Sequence, residues 1–441
     1  MALSCNAEIQ NGAFLILGKK MLSISNKKIS IGSYSLSKGM AYLILIYPLF
    51  LPMLQELLGL PGVVKYIVDV AWLLIAVVAI MQDKLRIRRD MIPLALIVAF
   101  FGIYTFGVYL FRYQSVFYYL WGFRNYFRFY VAFFAFATVF TEGDAYRGIA
   151  FLEKVFYINA AICLFQFING NAQDNIGGIF GAEKGCNGYL IAYFSVIISK
   201  SILAYMEGKE AAVTCYAKCI TTLFVSAIAE LKFFYLVFVV ILLMSSFLTS
   251  FSFKKVLLLF LGAVLVMITA TILGSLYAYF EGFLSIESLT ASFLQKGYAS
   301  GSDMGRTDAI AFISRRFLRT TTDRLFGLGL GNCETSAVSI FNTAFSDRYV
   351  DLHYSVLSHA FMFLENGYVG LVTYVLFFVV CLFIVVKRLK NRPQNRLFSQ
   401  MGIIMAVECM MLIIYNSSLR TEAGYMIYFV LALPFIRMEH K

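Results

Sequence analysis

Long apolar runs separated by short polar turns make up most of the chain, and their pattern is helical. The runs lack the two-residue alternation of barrel strands and extend well past strand length. Twelve of them approach the roughly 20 apolar residues that a membrane-crossing helix needs. They predict spans over 40–58, 63–81, 91–111, 117–140, 150–168, 187–205, 212–229, 232–249, 256–278, 359–386, 399–415 and 424–436. The last is short, so it is expected to tilt or to draw on its flanks.

One interval breaks this rhythm. Residues 279–358 contain no run of span length, yet they include GRTDAIAFISRRFLRTTTDRLFGLGLGN (305–332). A connection longer than about 12–15 residues is usually functional or disordered. Ile310, Ile313 and Phe317 recur at helical spacing, so helices lying on or dipping into the membrane face are expected there. The chain thus divides into a basic N-terminal segment (1–39), nine spans (40–278), a long Arg-rich loop (279–358), three spans (359–436) and a short tail (437–441). No internal repeat of the kind many transporters carry is visible.

Composition turns the helical pattern into a class. Of 441 residues, 60% are hydrophobic and 14% charged, against roughly 25% charged in soluble domains. The expected fold is an all-α polytopic membrane protein with about twelve transmembrane helices and one long extracytoplasmic loop. Its 44 Phe and 28 Tyr suit lipid-facing surfaces and interfacial belts. The eight cysteines show neither metal spacing nor a disulfide framework, and the stretch FLIL (14–17) is too short for a signal-peptide core.

The net charge of +12 is spread over turns, not gathered on a basic domain, so nucleic acid is excluded as a partner. Lysine and arginine collect in alternate connections. Lys19, Lys20, Lys27, Lys28, Lys38, Lys84, Arg86, Arg88, Arg89, Arg147, Lys154, Lys200, Lys209, Lys254, Lys255, Lys387, Arg388, Lys390, Arg392, Arg396, Arg437 and Lys441 fall on one side. The short turns of the other side hold only Lys65, Arg112, Lys184, Lys232 and Arg420. Both termini are therefore expected in the cytoplasm, with 279–358 outside.

Several residues can carry chemistry. Arg306, Arg315, Arg316, Arg319, Arg324 and Arg348 crowd the outer loop. The guanidinium fork matches phosphate, although a basic loop resting on anionic headgroups has the same composition. Arg306 stands apart: it follows Gly305 at an expected helix start, where main-chain donors also favour anions. Arg124 and Arg128 lie inside the fourth span at i,i+4, on one helical face. An intramembrane arginine is either a functional group or half of a structural ion pair. Two outer turns, GAEKGCNGYL (181–190) and AELKFF (229–234), place Glu183 beside Lys184 and Glu230 near Lys232, as turn chemistry or as a site wall. His359 opens the tenth span, with Glu365 and Asn366 about two turns deeper. Imidazole is a natural general base at neutral pH. His353, in the loop just before, competes for that role, and a histidine on a helix is also commonly a satisfied core residue.

The order of these features resembles the bacterial O-antigen polymerase and ligase superfamily, including Wzy-type capsule and exopolysaccharide polymerases. The likeness rests on a late outer loop, a Gly–Arg helix start, GLGLGN (327–332), and Ser358-His359 followed by ENGYVGLVTY. Arg316 to Gly327 also fits an Arg-x10-Gly pattern of some polymerases. Two positions depart from it: Ala360 stands where many relatives have Asn, and Glu230-Leu231-Lys232 where many have Ser-Arg. The resemblance implies a fold like the C-type glycosyltransferases and residence in the bacterial plasma membrane. The implied donor is a glycan on undecaprenyl pyrophosphate, attacked by a sugar hydroxyl of a second lipid-linked unit. Arg306 and His359 would be catalytic, with Arg124, Arg128, Arg316, Arg319, Lys232, Glu230 and Glu365 binding substrate. No metal and no other cofactor is implied. A chain-length regulator and a flippase are implied partners, besides the bilayer. A ligase moving finished glycan to another acceptor fits the same residues. A lipid-linked oligosaccharide flippase would instead carry its charges along a central cavity.

Overall fold

The computed structural model describes residues 36–82, 87–250, 253–276, 285, 287, 304–336, 338–391 and 396–437. The basic stretch before residue 36, Lys84, Arg86, most of the first third of the expected outer loop, Arg392 and the tail with His440 lie outside the described residues. Among the described residues the architecture is helical throughout, with one isolated bridge between Thr141 and Arg437.

In chain order the helices are α1 (Leu36–Leu58), α2 (Ile67–Gln82), α3 (Ile92–Arg112), α4 (Val116–Val139), α5 (Glu142–Ile168), α6 (Gly188–Met206), α7 (Ala212–Ile228), α8 (Lys232–Leu248) and α9 (Phe253–Leu276). Then follow the short α10 (Ala309–Arg316), α11 (Thr321–Phe326) and α12 (Ala344–Tyr349). The chain closes with α13 (Ser358–Asn391), α14 (Arg396–Tyr415) and α15 (Ala423–Ala432). Every expected span falls on one of these helices. Among the described residues, six helices are long and apolar enough to cross a membrane: α1, the segment Arg89–Arg112 containing α3, α5, α6, α13 and α14. Shorter apolar helices accompany them at 212–228, 232–248, 260–269 and 423–435. The expected outer-loop helices are present as α10, α11 and α12.

The aromatic residues correct one expectation. Many are not lipid-facing. Phe129, Phe133 and Phe136 of α4 are buried against α13 and α15. Phe136 meets Phe429 edge-on at 5.4 Å, Phe133 meets Phe377 at 5.5 Å, and Phe129 stacks on Tyr428 at 5.6 Å. Between helices in lipid, packing and not dehydration is the main attraction. Large interlocking rings supply that contact area.

Charge ties the end expected to be cytoplasmic. Thr141 and Asp144 form a capping box at the start of α5. The fully buried Asp144 carboxylate takes Lys38 at 2.5 Å and Arg147 at 2.5 Å. At the same end Arg388 of α13 pairs with Asp90 and donates to the Pro434 carbonyl.

The opposite end is built around a break. Gly367 leaves helical geometry within α13, with φ 60° and ψ −164°. A helix break strands main-chain carbonyls, which must find donors. The glycine-rich segment after α11 supplies them: Leu328 N–H donates to Leu364 O at 2.9 Å and Gly329 N–H to Glu365 O at 2.8 Å. The Tyr104 hydroxyl takes the Asn366 carbonyl at 2.6 Å. On its other side the same segment presses on α4, where a Cβ on Gly331 would collide with the Tyr118 carbonyl oxygen. GLGLGN is therefore a wedge between α4 and the broken α13.

Candidate functional site

At the end that carries residues 304–357, a cavity of about 600 Å³ opens between the start of α6, the α7–α8 turn and the α14–α15 turn. The Arg306 segment and the loop before α13 complete its wall. Arg306, Lys184, His353, Asp174 and Glu230 line it, among polar groups including Asn187, Asn416, Ser417 and Thr421. Four non-glycine residues in the described chain have positive φ: Tyr113, Gln173, Glu230 and His353. Two of these line the cavity and Gln173 adjoins Asp174. Backbone strain is retained where the surroundings enforce it, and such places are enriched in functional sites.

Arg306 is held from three directions. Its Nε donates to the Tyr415 carbonyl at 3.1 Å, and its guanidinium lies 4.5 Å from the centroid of the Tyr415 ring. Phe233 stacks on the far side of that ring at 3.8 Å. The Arg306 main-chain carbonyl meets His359 Nε2 at 2.9 Å, while His359 Nδ1 faces the Ile413 carbonyl at 3.1 Å. His359 is buried, 7% exposed. Whichever nitrogen bears the proton, both point at carbonyl oxygens and neither at the cavity. The expected pair of Arg306 and His359 is thus brought together, with the imidazole behind the arginine. This geometry positions Arg306 and does not present a base to substrate.

Glu230 lines the cavity and pairs with Lys232 at 3.2 Å. The other expected binding residues lie elsewhere. Arg124 pairs with Asp69 of α2 at 2.6 Å, under the rings of Tyr66 and Trp121. Arg128, 5% exposed, donates to the Arg420 carbonyl at 3.2 Å. Its charge is answered by Glu422: burial would raise that carboxyl, but Arg128 and Lys65 outweigh it and hold it below the usual carboxylate range. Because Tyr189 touches both the cavity and Glu422, Arg128 sits one layer behind the wall. Arg316 lies over Phe312, Phe317 and Tyr349 at the end of α10, and Arg319 is exposed just beyond it. The Glu365 side chain is fully buried and accepts the Cys333 amide at 2.9 Å. It braces the wedge and does not line the cavity.

Sequence reasoning passed over Asp174 and Asn187, and it gave Lys184 and His353 second place. Asn187 donates from one amide to Asp174 at 2.9 Å and to the Ala229 carbonyl at 2.9 Å, joining two turns remote in sequence. The run SSLRTE (417–422) also holds more than a turn. Arg420 and Glu334 form an ion pair at 3.2 Å, with side chains 9% and 8% exposed, and the guanidinium lies 3.5 Å from the Phe361 centroid. Arg420→Met strands Glu334 and is expected to cost about 3–5 kcal/mol. A melting curve in detergent checks this, and pairing it with Glu334→Gln should restore part of the loss.

Compared with known proteins, the chain matches no family model and no curated sequence.

Proposed function

We propose that the chain is a membrane glycosyltransferase that polymerises oligosaccharide repeat units carried on undecaprenyl pyrophosphate. It works at the outer face of a bacterial plasma membrane, with twelve crossings and both termini cytoplasmic. The observation that carries this reading is one cavity, at one end of the bundle, in which a fixed arginine faces a histidine and two carboxylates. A transport route would spread such groups toward the midplane.

The residues suit the chemistry. The acceptor hydroxyl oxygen bonds to the anomeric carbon of the donor glycan. The bond from that carbon to the pyrophosphate oxygen breaks, and the lipid pyrophosphate leaves. Arg306 and Lys184 stabilise the negative charge that develops on it, as preorganised donors do. Asp174, Asn187 and Glu230 hold sugar hydroxyls. His353 takes the acceptor's proton, since it lines the cavity and His359 does not.

His353→Ala is expected to slow single-turnover transfer by roughly 10²–10⁴-fold with donor binding intact. His359→Ala is expected to weaken donor binding through a displaced Arg306. The opposite split would return the base role to His359. The reading itself is tested on the surface glycan of a host lacking the protein, sized on a gel. Collapse of the ladder to single units supports a polymerase. Long polymer retained on its carrier means a ligase, and single units trapped on the inner leaflet mean a flippase.

A further inference from the structure

Deep in the helix bundle, α14 carries a carboxyl that the transfer reaction does not use. Glu408 is 2% exposed, and among the described residues its carboxyl has no polar neighbour within hydrogen-bonding reach except the Ser195 hydroxyl. Among the described residues no lysine, arginine or histidine lies within ion-pair distance of it. An isolated carboxylate in such surroundings is costly by many kcal/mol, so it is neutralised, either by a proton or by a bound cation.

The packing supplies oxygens but no charge. Ser195 of α6 stands beside the Glu408 carboxyl. The Ser195 proton is already given to the Ile191 carbonyl at 2.7 Å, which leaves an oxygen lone pair for an incoming cation or acid proton. Ser199 follows one turn further along the same face of α6. It is 2% exposed, and its hydroxyl also lacks a partner. Ile191 lines the cavity above, while Glu408 lies seven residues, or about 10 Å at 1.5 Å per residue, below Tyr415.

The surrounding helices offer no alternative. α15 carries no charged residue, and α8 has only Lys232, at its outer end. Lys200 of α6 is engaged by Glu153 and Glu210 toward the other end. Of the α13 groups, His359 faces main-chain carbonyls, Glu365 faces the Cys333 amide, and Lys387, Arg388 and Lys390 are at the far terminus. Cys381 of α13 and Cys409 of α14 are the thiols nearby.

We propose that Glu408, with the hydroxyl oxygens of Ser195 and Ser199, binds a small monovalent cation, a proton or a sodium ion, beneath the cavity. The site stands independently of the glycosyl-transfer reading. It gives the bundle a charge-neutral core when occupied, and it gives the protein a cation dependence that its outer cavity does not require.

The test uses the full chain in detergent at neutral pH, treated with a hydrophobic carbodiimide and mapped by mass spectrometry. This reagent modifies protonated carboxyls in apolar surroundings. An adduct at Glu408 that sodium chloride suppresses at least several-fold, while potassium chloride does not, identifies a sodium site in competition with protons. An adduct indifferent to both salts identifies a proton site. Infrared spectra give a second measurement: Glu408→Gln should lose one protonated-carboxyl band. The proposal is overturned if sodium-free protein gives no Glu408 adduct and the infrared spectra of wild type and Glu408→Gln agree in that region. Glycan output plays no part in either readout, so failure here leaves the transferase reading untouched.

Discussion

Arg306→Ala protein is expected to insert and fold like wild type and yet to make essentially no polymer. The arginine sits against Tyr415 and is fixed through its carbonyl by His359, so its charge is placed before substrate arrives. Removing one preorganised donor of this kind costs roughly 10²–10³ in turnover. On the proposed reading the leaving group is a pyrophosphate, and among the described residues of the wall Lys184 is the one lysine or arginine left. Arg306→Lys should recover only a fraction, because a lysine ammonium cannot make the two parallel contacts of a guanidinium. Transfer measured with purified protein and a lipid-pyrophosphate-linked oligosaccharide decides the matter, alongside membrane-fraction levels. Wild-type output from well-inserted Arg306→Ala would remove Arg306 from the mechanism.

Gly331→Val should have the larger effect on the molecule itself. Its backbone has φ +87°, which side chains other than glycine rarely adopt, and the added atoms would run into the Tyr118 carbonyl of α4. Backbone on both sides leaves no flexible neighbour to give way. The facing Gly122 is equally constrained, since its Cβ would fall 2.5 Å from the Gly331 nitrogen. A loss above about 4–5 kcal/mol belongs to this short list of causes. Monodisperse protein recovered in detergent is therefore expected to vanish for Gly331→Val. Gly107→Ala is the control: nothing lies within 4 Å of its Cβ, and mid-helix alanine gains about 1 kcal/mol over glycine. Equal yields for the two variants would mean that the wedge does not hold α4 and α13 apart.

The wedge also shows why a motif can be visible while its role is not. GLGLGN and Glu365-Asn366-Gly367 stand out in the sequence, yet they lie far enough apart that nothing local says they touch. In the fold they satisfy each other's main chain across the break in α13. Glu365 looked like a substrate contact because it is an acid in an apolar helix, and it proved to be a brace for the Cys333 amide. The Arg124–Asp69 pair has the same lesson. An intramembrane charge signals importance, but only its partner says whether that importance is structural.

By itself the sequence determined the helices, most of their limits within a few residues (α5 begins eight residues before the expected 150), and the segment before α13 with its own short helices. Those properties are local: run length, helical spacing and the charge of the turns. It also placed Arg306 and His359 in one neighbourhood. Only the tertiary structure decided which side chains share the cavity, and why His353 lines it while His359 lies behind Arg306. A helix apolar on every side does not declare which face is inward. In lipid its rotation is set by packing with its neighbours and not by hydrophobicity. That rotation turned the Phe ladder of α4 into the bundle, put Glu408 against Ser195, and brought Asp174, Glu230 and Arg306 to a single wall.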